Sequence, residues 1–472
     1  MAHIRILRHY IHTQYFLTAL AELVLLAGSA FAGYYTRYLT FAGPEYLWLF
    51  SLLFALVSFT CMSAMGVYPS RLREGYVGMM LRTAVSLFLL STASMAILLF
   101  LFPELNPGRW VLLFTAVEAY VLLALGRWLT HSVLNEETLK RRVVVLGTGQ
   151  RAVNVARRLR RRSDRRAFLL DGFLTYGGEP DLVSEYGASV SCWDETLLAY
   201  CESRDIDEIV VAIDERRRNH GAGGGLPLDE LTACRIAGID ICDVQTFIER
   251  ESCKIDVDLL RPSWIVFADG FNTSLTRAVT KRTFDVLSSL ALLLVTWPIM
   301  LVTAALIQLE CRFRHPTFYR QERVGLDGKV FHVIKFRSMR PDAEAEGQAQ
   351  WAQKDDPRVT TIGAFIRSTR IDELPQLFNV LKGDMSFVGP RPERPQFVSE
   401  LAKVIPYYDQ RHRVKPGITG WAQLCYPYGA SVEDAKEKLQ FDLYYLKNHS
   451  TLLDLIILLQ TIEVVLVGEG AR

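Results

Sequence analysis

The sequence has few cysteines, and they are not spaced to bind a metal ion or to form a disulfide framework. No two of them are arranged as a C-x-x-C motif. This wide scatter indicates a reducing compartment, and it excludes a zinc ribbon and a small disulfide-stapled domain. The eight cysteines are Cys61, Cys192, Cys201, Cys234, Cys242, Cys253, Cys311 and Cys425.

A surplus of charge of one sign is also absent. The 472 residues include 53 Lys and Arg against 51 Asp and Glu, so we expect no nucleic-acid partner.

The N-terminus, MAHIRILRHYIH, is too polar for a secretory signal peptide, and no small-residue cleavage site follows it. Half of the residues are hydrophobic, and their concentration in long runs is typical of a membrane protein. The length suits about three domains.

Four hydrophobic runs occupy the first third of the chain. Each is close to the ~20 residues that cross a bilayer, and their lengths and aromatic ends argue against helices of a soluble core. Lys and Arg flank the outer ends of the region, which predicts that both ends face the cytoplasm. We therefore predict a four-helix transmembrane bundle over residues 1–135. The runs are 15–35, 46–68, 80–102 and 110–129.

Glu22 and Glu118 lie within these hydrophobic runs. An ionisable residue inside a membrane span either takes part in function or forms a hydrogen bond that packs two helices together. The sequence leaves both interpretations open for these two residues.

Residues 141–260 are predicted to form a Rossmann-like α/β domain. The strand RRVVVLG leads into Gly147 and Gly149, and a helix follows. Glycines at such a turn can admit a pyrophosphate to the helix N-terminus, and Asp171, at the end of the next strand, is placed to bind a ribose. The same spacing occurs in α/β folds that bind no nucleotide, so nucleotide binding is one of two interpretations.

A fifth apolar segment, residues 281–310, contains Pro298 near its middle. Proline removes a backbone donor from a helix and clashes with the preceding turn. Basic residues flank the segment on both sides, and a straight span would place one of these clusters on the outer face, against the charge rule. We therefore predict a re-entrant helix that breaks at Pro298 and returns to the cytoplasmic face.

Two adjacent acids, Asp372 and Glu373, stand in the stretch RIDELPQLFNVLKGD. Acids are favoured in the first helical turn, so the pair alone fits an ordinary helix start. Several cations nearby suit a phosphate site instead. There, two ionised carboxylates would repel, and Mg²⁺ shared with phosphate oxygens would remove the repulsion. The cations are Lys335 and Arg337 on a hairpin turning at Asp327-Gly328, then Arg367, and Arg391 between two prolines.

The C-terminal part of the chain resembles the bacterial sugar transferases, the monotopic phosphoglycosyl transferases. The blocks KRTFD…WP, RQERVGLDGKVFHVIKFRSM, IRSTRIDELPQLFNVLKGDMSFVGPRP and VKPGITGWAQL follow one another as in that family, over about residues 275–470. The bundle and α/β domain resemble its long form, which initiates exopolysaccharide or O-antigen repeat units. PSWIVFADGF (262–271) and Trp297 before Pro298 are most similar to the exopolysaccharide branch.

The resemblance implies a fold, a reaction and a location. Residues 275–472 would hold the re-entrant helix (281–310) and a mixed α/β, mostly helical catalytic domain at the cytoplasmic face of the bacterial inner membrane. Asp372 would attack the β-phosphate of a UDP-sugar and release UMP, and undecaprenyl phosphate would then take the sugar phosphate. Glu373 would assist, with Mg²⁺ bound by both acids. Residues implied in phosphate or substrate binding are Lys335, Arg337, Arg367, Arg391 and Gln423.

The implied partners are a UDP-sugar, undecaprenyl phosphate, membrane lipids and a second copy of the chain in a homodimer. No block identifies the sugar. Two other functions are alternatives: a membrane-anchored NAD-dependent nucleotide-sugar dehydratase and a non-catalytic scaffold for polysaccharide assembly. The chain contains no Tyr-x-x-x-Lys sequence for the proton relay of a dehydratase, and a scaffold leaves the acid pair and its cations unexplained.

Overall fold

The computed structural model divides the chain into two compact units. The first comprises Met1–Ile6, Tyr10–Met62 and Tyr68–Arg261, and the second comprises Leu7–His9, Ser63–Val67 and Pro262–Arg472. The N-terminal helices and the α/β region, predicted as separate domains, thus fall in one unit. The structure describes residues 3–6, 9–40, 43–68, 75–133, 140–158, 168–176, 179–193, 196–214, 226–260, 275–340, 358–427, 429 and 431–467.

The first third of the chain is almost entirely helical. Its elements are β1 (His3–Ile6), β2 (His9–His12), α1 (Thr13–Tyr38), α2 (Leu47–Ala64), α3 (Gly75–Val85), α4 (Thr92–Leu101) and α5 (Arg109–Val133). A π-helical turn, Ser86–Ser91, joins α3 to α4. The four hydrophobic runs are therefore helical, as predicted.

Five helices in the described part of the chain are long and apolar enough to cross a membrane. Only 22% of the apolar window in Leu275–Glu310 is buried, and 44% of that in Leu47–Ala64. Apolar surface on this scale is unfavourable in water, and it marks the chain as a membrane protein. The helices are Phe16–Tyr38, Leu47–Ala64, Tyr76–Leu101, Arg109–Thr130 and Leu275–Glu310.

Glu22 of α1 forms a buried ion pair with Arg127 of α5. Two nitrogens of Arg127 donate to the two oxygens of Glu22, and the hydroxyl of Tyr68 donates to the same carboxylate at 2.7 Å. Removing one partner of such a buried pair typically costs ~3–5 kcal/mol, because the other charge is left uncompensated. Glu118 accepts a hydrogen bond from Thr36 at 3.3 Å. Both acids therefore join helices, which fits the packing interpretation.

The α/β region is a five-stranded parallel sheet with helices between its strands. Its elements are β3 (Arg141–Leu146), α6 (Gln150–Arg158), β4 (Phe168–Leu174), β5 (Val190–Ser191), α7 (Leu197–Ser203), β6 (Glu208–Val211), α8 (Leu228–Ile236), β7 (Asp240–Asp243) and α9 (Val244–Ser252). The strand order is β5-β4-β3-β6-β7, so the first strand of the sheet lies at its centre. The order reverses between β3 and β6, the place where open α/β sheets bind ligands.

The second unit is mostly helical, with two small sheets. Its elements are α10 (Leu275–Glu310), β8 (Phe318–Val324), β9 (Val330–Phe336), α11 (Thr361–Ser368), α12 (Gln376–Lys382), β10 (Ser386–Val388), α13 (Pro395–Val404), β11 (Gly417–Thr419), α14 (Trp421–Cys425), α15 (Val432–Asn448) and α16 (Thr451–Val467). β8 and β9 are antiparallel, whereas β10 and β11 are parallel. The hairpin turns at Asp327 (φ 52°) and Gly328 (φ 77°), which confirms the predicted turn.

Helix α10 runs through Pro298 without interruption, so the predicted break in the helix is wrong. Proline removes one hydrogen bond and can bend a helix without ending it. The arms on either side of Pro298 both contact the rest of the second unit. Arg282 donates to the last carbonyls of α12, while Glu310 accepts from the backbone of Ile362 at 3.2 Å. Between the two contacts the helix surface is apolar, and Leu294 is 76% exposed.

Candidate active site

The acid pair lies in a single turn of 3-10 helix, Ile371–Glu373, between α11 and α12. Arg370 has a left-handed backbone (φ 60°), which ends the preceding helix, and Pro375 begins the next. This tight connection directs the two acids into different surroundings. Asp372 is buried with 9% of its surface exposed.

Glu373 is bound by two cations that come from distant parts of the chain. Lys335 Nζ and Arg391 Nη2 both donate to its Oε1, at 2.8 and 2.9 Å. Lys335 stands on β9, and Arg391 stands in the loop after β10. Although burial alone would raise the pKa of Glu373, Arg391 and Lys335 outweigh it and hold this pKa well below its usual range. Glu373 is therefore a fixed negative charge that orders two cations.

Asp372 is placed differently. No group in the described part of the chain donates a hydrogen bond to its carboxylate. Burial, the largest effect, raises the pKa of Asp372; Lys335 opposes the rise, the charge of Glu373 adds to it, and Arg391 and Arg367 oppose it as well. Adjacent carboxyls whose pKa values are shifted in opposite directions are suited to different roles in catalysis.

The position of Lys335 depends on a buried amide side chain. Asn379 of α12 accepts from the backbone N–H of Ile334 at 3.0 Å and donates to the carbonyl of His332 at 2.7 Å. These two bonds fasten β9 to the helix that follows the acid pair. Lys335 directly follows Ile334, so these bonds fix the backbone position from which the Lys335 side chain extends.

The position of Arg391 depends on close contact between two backbones. β10 and β11 are paired, and a Cβ added at Gly389 would lie 2.3 Å from the carbonyl oxygen of Lys415. A Cβ added at Gly417 would lie 2.1 Å from the nitrogen of Gly389. Only glycine permits this approach. The glycines of the GPRP and KPGITG blocks therefore bring the loop that carries Arg391 against β11.

Two sequence-predicted residues are not joined to the acid pair by any hydrogen bond or ion pair in the described part of the chain. Arg337 donates its Nε to the carbonyl of Pro316 at 2.9 Å, which secures the entry to β8. Gln423 lies in α14, and its buried Nε2 has no hydrogen-bond partner within the described residues. Arg367, by contrast, acts on Asp372 through its charge.

The donor set at the acid pair is compatible with Mg²⁺. Asp372 and the Oε2 atom of Glu373 accept no hydrogen bond from the described residues, and carboxylate oxygens are suitable ligands for this ion. The described residues contain no group of three His, Cys, Asp or Glu side chains that could hold a metal. Mg²⁺ usually completes its shell with water and substrate phosphate. Because Lys335 and Arg391 already offset the charge of Glu373, a metal is not needed to explain why two acids lie together.

The glycine turn after β3 is closed by the chain's own carboxylates. The amides of Gln150 and Arg151, at the N-terminus of α6, donate to Asp214 at 2.7 and 2.9 Å. The amide of Thr148 donates to Glu179 at 3.1 Å, and Glu179 also accepts from the amide of Asp214 at 2.8 Å. These are the donors that a pyrophosphate would use. Two carboxylates thus occupy the place where the sequence suggested a nucleotide.

The residues predicted to bind that nucleotide have structural partners instead. A Cβ at Gly149 would lie 2.2 Å from Oδ2 of Asp214, and Gly147 has a φ of +120°. Asp171 is paired with Arg142 and Arg204, each at 3.1 Å. The glycines are therefore explained by turn geometry and close packing, and the acid by ion pairing.

Sequence reasoning missed Asn379, Glu179 and Asp214. Asn379 had a detectable signal, since it is the one polar residue inside the apolar stretch LFNVL. Asp214 directly follows the buried stretch EIVVAI, where a capping acid is common in α/β proteins. Glu179 lies in a polar loop, and nothing in the local sequence distinguishes it from its neighbours.

The part of the chain that contains the acid pair matches a known protein family. The sequence model of the bacterial sugar transferase family matches residues 276–468. One relative, the UDP-N-acetylgalactosamine-undecaprenyl-phosphate N-acetylgalactosaminephosphotransferase of Aeromonas hydrophila, is 42% identical over 242 residues, 51% of this chain and 56% of that protein. The undecaprenyl-phosphate glucose phosphotransferase of Komagataeibacter xylinus is 32% identical over 361 residues, 75% of this chain and 65% of that protein.

A shorter relative is covered almost completely. The exopolysaccharide production protein PSS of Rhizobium leguminosarum bv. phaseoli is 43% identical over 190 residues, which are 39% of this chain and 94% of that protein. The chain belongs to the bacterial sugar transferase family. It spans 56% and 65% of the length of the two longer relatives. The stretch PSWIVFADGF, linked above to the exopolysaccharide branch, lies outside the described residues.

Asn379→Leu should destabilise the second unit by about 1–3 kcal/mol, because two backbone groups of β9 lose their partner while the helix keeps its apolar packing. Urea unfolding in detergent, followed by a probe in this unit, measures the change. Lys382→Gln on the same helix is the control, since its side chain is exposed and should shift stability by less than ~0.5 kcal/mol. Equal stability of the two variants would show that Asn379 does not secure β9.

Proposed function

We propose that this chain transfers a sugar 1-phosphate from a UDP-sugar to undecaprenyl phosphate and releases UMP. The contrast between the two acids carries the proposal. Glu373 is held by Lys335 and Arg391, whereas Asp372 accepts no hydrogen bond from the described residues and lies among the same cations. A buried carboxylate without a protein partner, in a cationic setting, is available to attack phosphorus.

The transfer takes place in two steps. A carboxylate oxygen of Asp372 forms a bond to the β-phosphorus of the UDP-sugar. The bond from that phosphorus to the bridging oxygen breaks, and UMP leaves with the bonding electrons. A phosphate oxygen of undecaprenyl phosphate then attacks the same phosphorus, restores the Asp372 carboxylate and forms a lipid diphosphate sugar.

The cations stabilise the negative charge that gathers on the phosphate oxygens during both steps. Lys335 and Arg391 are ordered by Glu373 before substrate arrives, so little reorganisation is needed. Arg367 adds positive charge near Asp372. Glu373 thus acts through the cations it holds. Within the described residues, Arg337 and Gln423 form no hydrogen bond with the acid pair. We therefore propose that they contact a part of the substrate that lies away from the two acids.

We propose that Asp372 and Glu373 also hold Mg²⁺ together with the diphosphate of the substrate. The ion would neutralise phosphate charge and polarise the phosphoryl group. The two carboxylates supply hard oxygen ligands, and the substrate and water would supply the remainder.

The membrane arrangement follows from α10. We propose that this helix enters and leaves the bilayer on the cytoplasmic face of the inner membrane, bent at Pro298. Its two arms contact the same unit, and the apolar surface between them is exposed. If it were straight, the helical segment of 29 residues from Arg282 to Glu310 would extend ~43 Å. The N-terminal helices would form a four-span bundle with both ends on that face.

For the α/β region we propose a Rossmann-like fold without a nucleotide cofactor. The strand order places the first strand centrally, as in that fold. The amides of the glycine turn, however, already serve Asp214 and Glu179. This argues against the alternative of an NAD-dependent dehydratase. The relatives' names include both N-acetylgalactosamine and glucose, so the sugar has to be found with a panel of UDP-sugars.

Asp372→Asn should abolish UMP release, with a loss of at least ~10³-fold, because the amide cannot act as the nucleophile. The assay is UMP formation by purified protein in detergent with undecaprenyl phosphate and each UDP-sugar in turn. Asp327→Asn is the matched control, since this residue lies at an exposed turn and Asn tolerates its left-handed backbone. Full activity of Asp372→Asn would refute the nucleophile assignment.

Chelation of divalent cations should stop UMP release, and added Mg²⁺ should restore it. Release that continues at its full rate in excess EDTA would remove the metal from the proposal and leave the rest intact. Binding of Mn²⁺, as a paramagnetic substitute, gives an independent readout. We expect the binding to weaken in Asp372→Asn and to be unchanged in Asp327→Asn.

Cysteine accessibility tests the path of α10. In a cysteine-free variant, single cysteines at Val279 and Phe313, both exposed, should react with an impermeant maleimide only from the cytoplasmic side. A cysteine at Leu294 should be protected from both sides by lipid. Labelling of positions 279 and 313 from opposite sides would show that the helix crosses the membrane.

A further inference from the structure

The loop that carries Arg391 has little regular structure of its own. Its sequence, Gly389-Pro390-Arg391-Pro392-Glu393, contains two prolines, which have no backbone N–H. Its carbonyl groups nevertheless need partners where they are buried. The partners come from several other parts of the second unit, and they determine where the Arg391 side chain begins.

The carbonyls of Pro390, Pro392 and Glu393 each accept a hydrogen bond. Pro390 accepts from the amide of Gly417 at 2.9 Å, and Pro392 accepts from Arg323 at 3.0 Å. Glu393 accepts from the amide of Val324 at 2.9 Å. Just before the loop, the carbonyl of Val388 accepts from Lys281 at 2.9 Å and from Tyr445 at 3.0 Å.

The carbonyl of Arg391 itself is held by a second arginine. Arg411 Nη2 donates to it at 3.0 Å. Arg411 is only 6% exposed and is fixed in turn by two groups, the hydroxyl of Tyr408 at 2.8 Å and the carboxylate of Asp442 on α15 at 2.8 Å. No hydrogen bond or ion pair in the described part of the chain joins Arg411 to Asp372 or Glu373. Its hydrogen bond to the carbonyl of Arg391 connects it to the site.

We propose that Arg411, secured by Asp442, is a positioning residue for the phosphoryl transfer: it fixes the backbone of Arg391 so that this side chain meets Glu373 and the substrate phosphate. The inference rests on the proposed function, which it extends by a residue pair that touches no reacting atom. A guanidinium suits the task, because its fork of donors can hold a carbonyl, a hydroxyl and a carboxylate at once.

The two partners of this buried pair respond differently to burial. Burial raises the pKa of Asp442 to about 6, although Arg411 opposes the rise, whereas Tyr408 and Asp442 outweigh burial at Arg411 and raise its pKa. Buried ion pairs can often be replaced by apolar residues without loss of stability. A charged pair kept in this place is better explained by the directional hydrogen bond that Arg411 makes to Arg391.

The test uses a replacement that keeps the fold. Arg411→Gln alone leaves Asp442 buried without a partner and could prevent folding. A second, separate variant therefore carries Arg411→Met together with Asp442→Leu, which fill the same space without charge. We expect kcat for UMP release to fall by roughly 10- to 100-fold in this double variant, with little change in KM for undecaprenyl phosphate, because misplacement of a catalytic group acts mainly on kcat. Arg413→Gln is the control and should retain full kcat, because Arg413 is exposed and lies with Arg411 on the 3-10 helix Tyr408–Arg413.

A double-mutant cycle separates positioning from general structural support. If Arg411 acts through Arg391, the Arg411→Met/Asp442→Leu change should reduce kcat by less than ~2-fold further once Arg391 is already Ala. A full additional loss in the Arg391→Ala background would overturn the inference, and so would an unchanged kcat in the otherwise wild-type protein.

Hydrogen exchange provides a readout that does not depend on activity. Peptides covering residues 385–394 should exchange faster in the Arg411→Met/Asp442→Leu variant, whereas peptides from β3 and β6 should not change. If the wild-type protein releases no UMP from any UDP-sugar, the proposed function fails, and this measurement still decides the inference. Unchanged exchange in residues 385–394 would show that Arg411 does not hold the loop.

Discussion

One carboxylate oxygen, Oε1 of Glu373, organises the site. Lys335 and Arg391 both bind it, and they arrive from a hairpin and from a loop that are far apart in the chain. Much of the second unit can be understood as the support of these two contacts. Asn379 fastens the strand of Lys335, and Arg411 fastens the loop of Arg391. Because the two cations meet on a single atom, a displacement of either support is transmitted to the other side of the site.

Local sequence patterns are enough to locate this site, whereas the division of its roles came from the family resemblance. The apolar runs, the hairpin turn at Asp327-Gly328 and the cations near the acid pair were predicted from local patterns. The structure brings Lys335, Arg391 and Arg367 to the acids, whereas Arg337 donates to the carbonyl of Pro316. Which of two neighbouring acids is bound by cations depends on the packing of three separate elements. That information is not local, so the residues alone left the roles of the two acids open, and the family resemblance assigned attack to Asp372 and assistance to Glu373. The homodimer implied by the resemblance stays a prediction.

The glycine turn after β3 shows the opposite case, in which a local pattern suggested more than the fold uses. Gly147 and Gly149 satisfy the spacing of a nucleotide fingerprint, but the amides behind them bind Asp214 and Glu179. Glu179 lies roughly thirty residues and Asp214 roughly sixty-five residues further along the chain, beyond the reach of a motif. The same physical feature, a helix N-terminus with unpaired amides, attracts a carboxylate as readily as a phosphate. A fingerprint therefore predicts the turn more securely than it predicts the ligand.

The contact between Gly389 and Gly417 has a consequence for how the sequence blocks of this chain are interpreted. Neither residue contributes a functional group, and a single methyl group on either would collide with backbone. These two glycines determine the distance between the loop of Arg391 and β11. That distance is as short as two backbones without side chains allow. Gly389 of GPRP and Gly417 of KPGITG thus specify the distance between two chain segments and contribute no chemical group. A substitution there would alter catalysis by changing a distance while every charged residue of the site remained present.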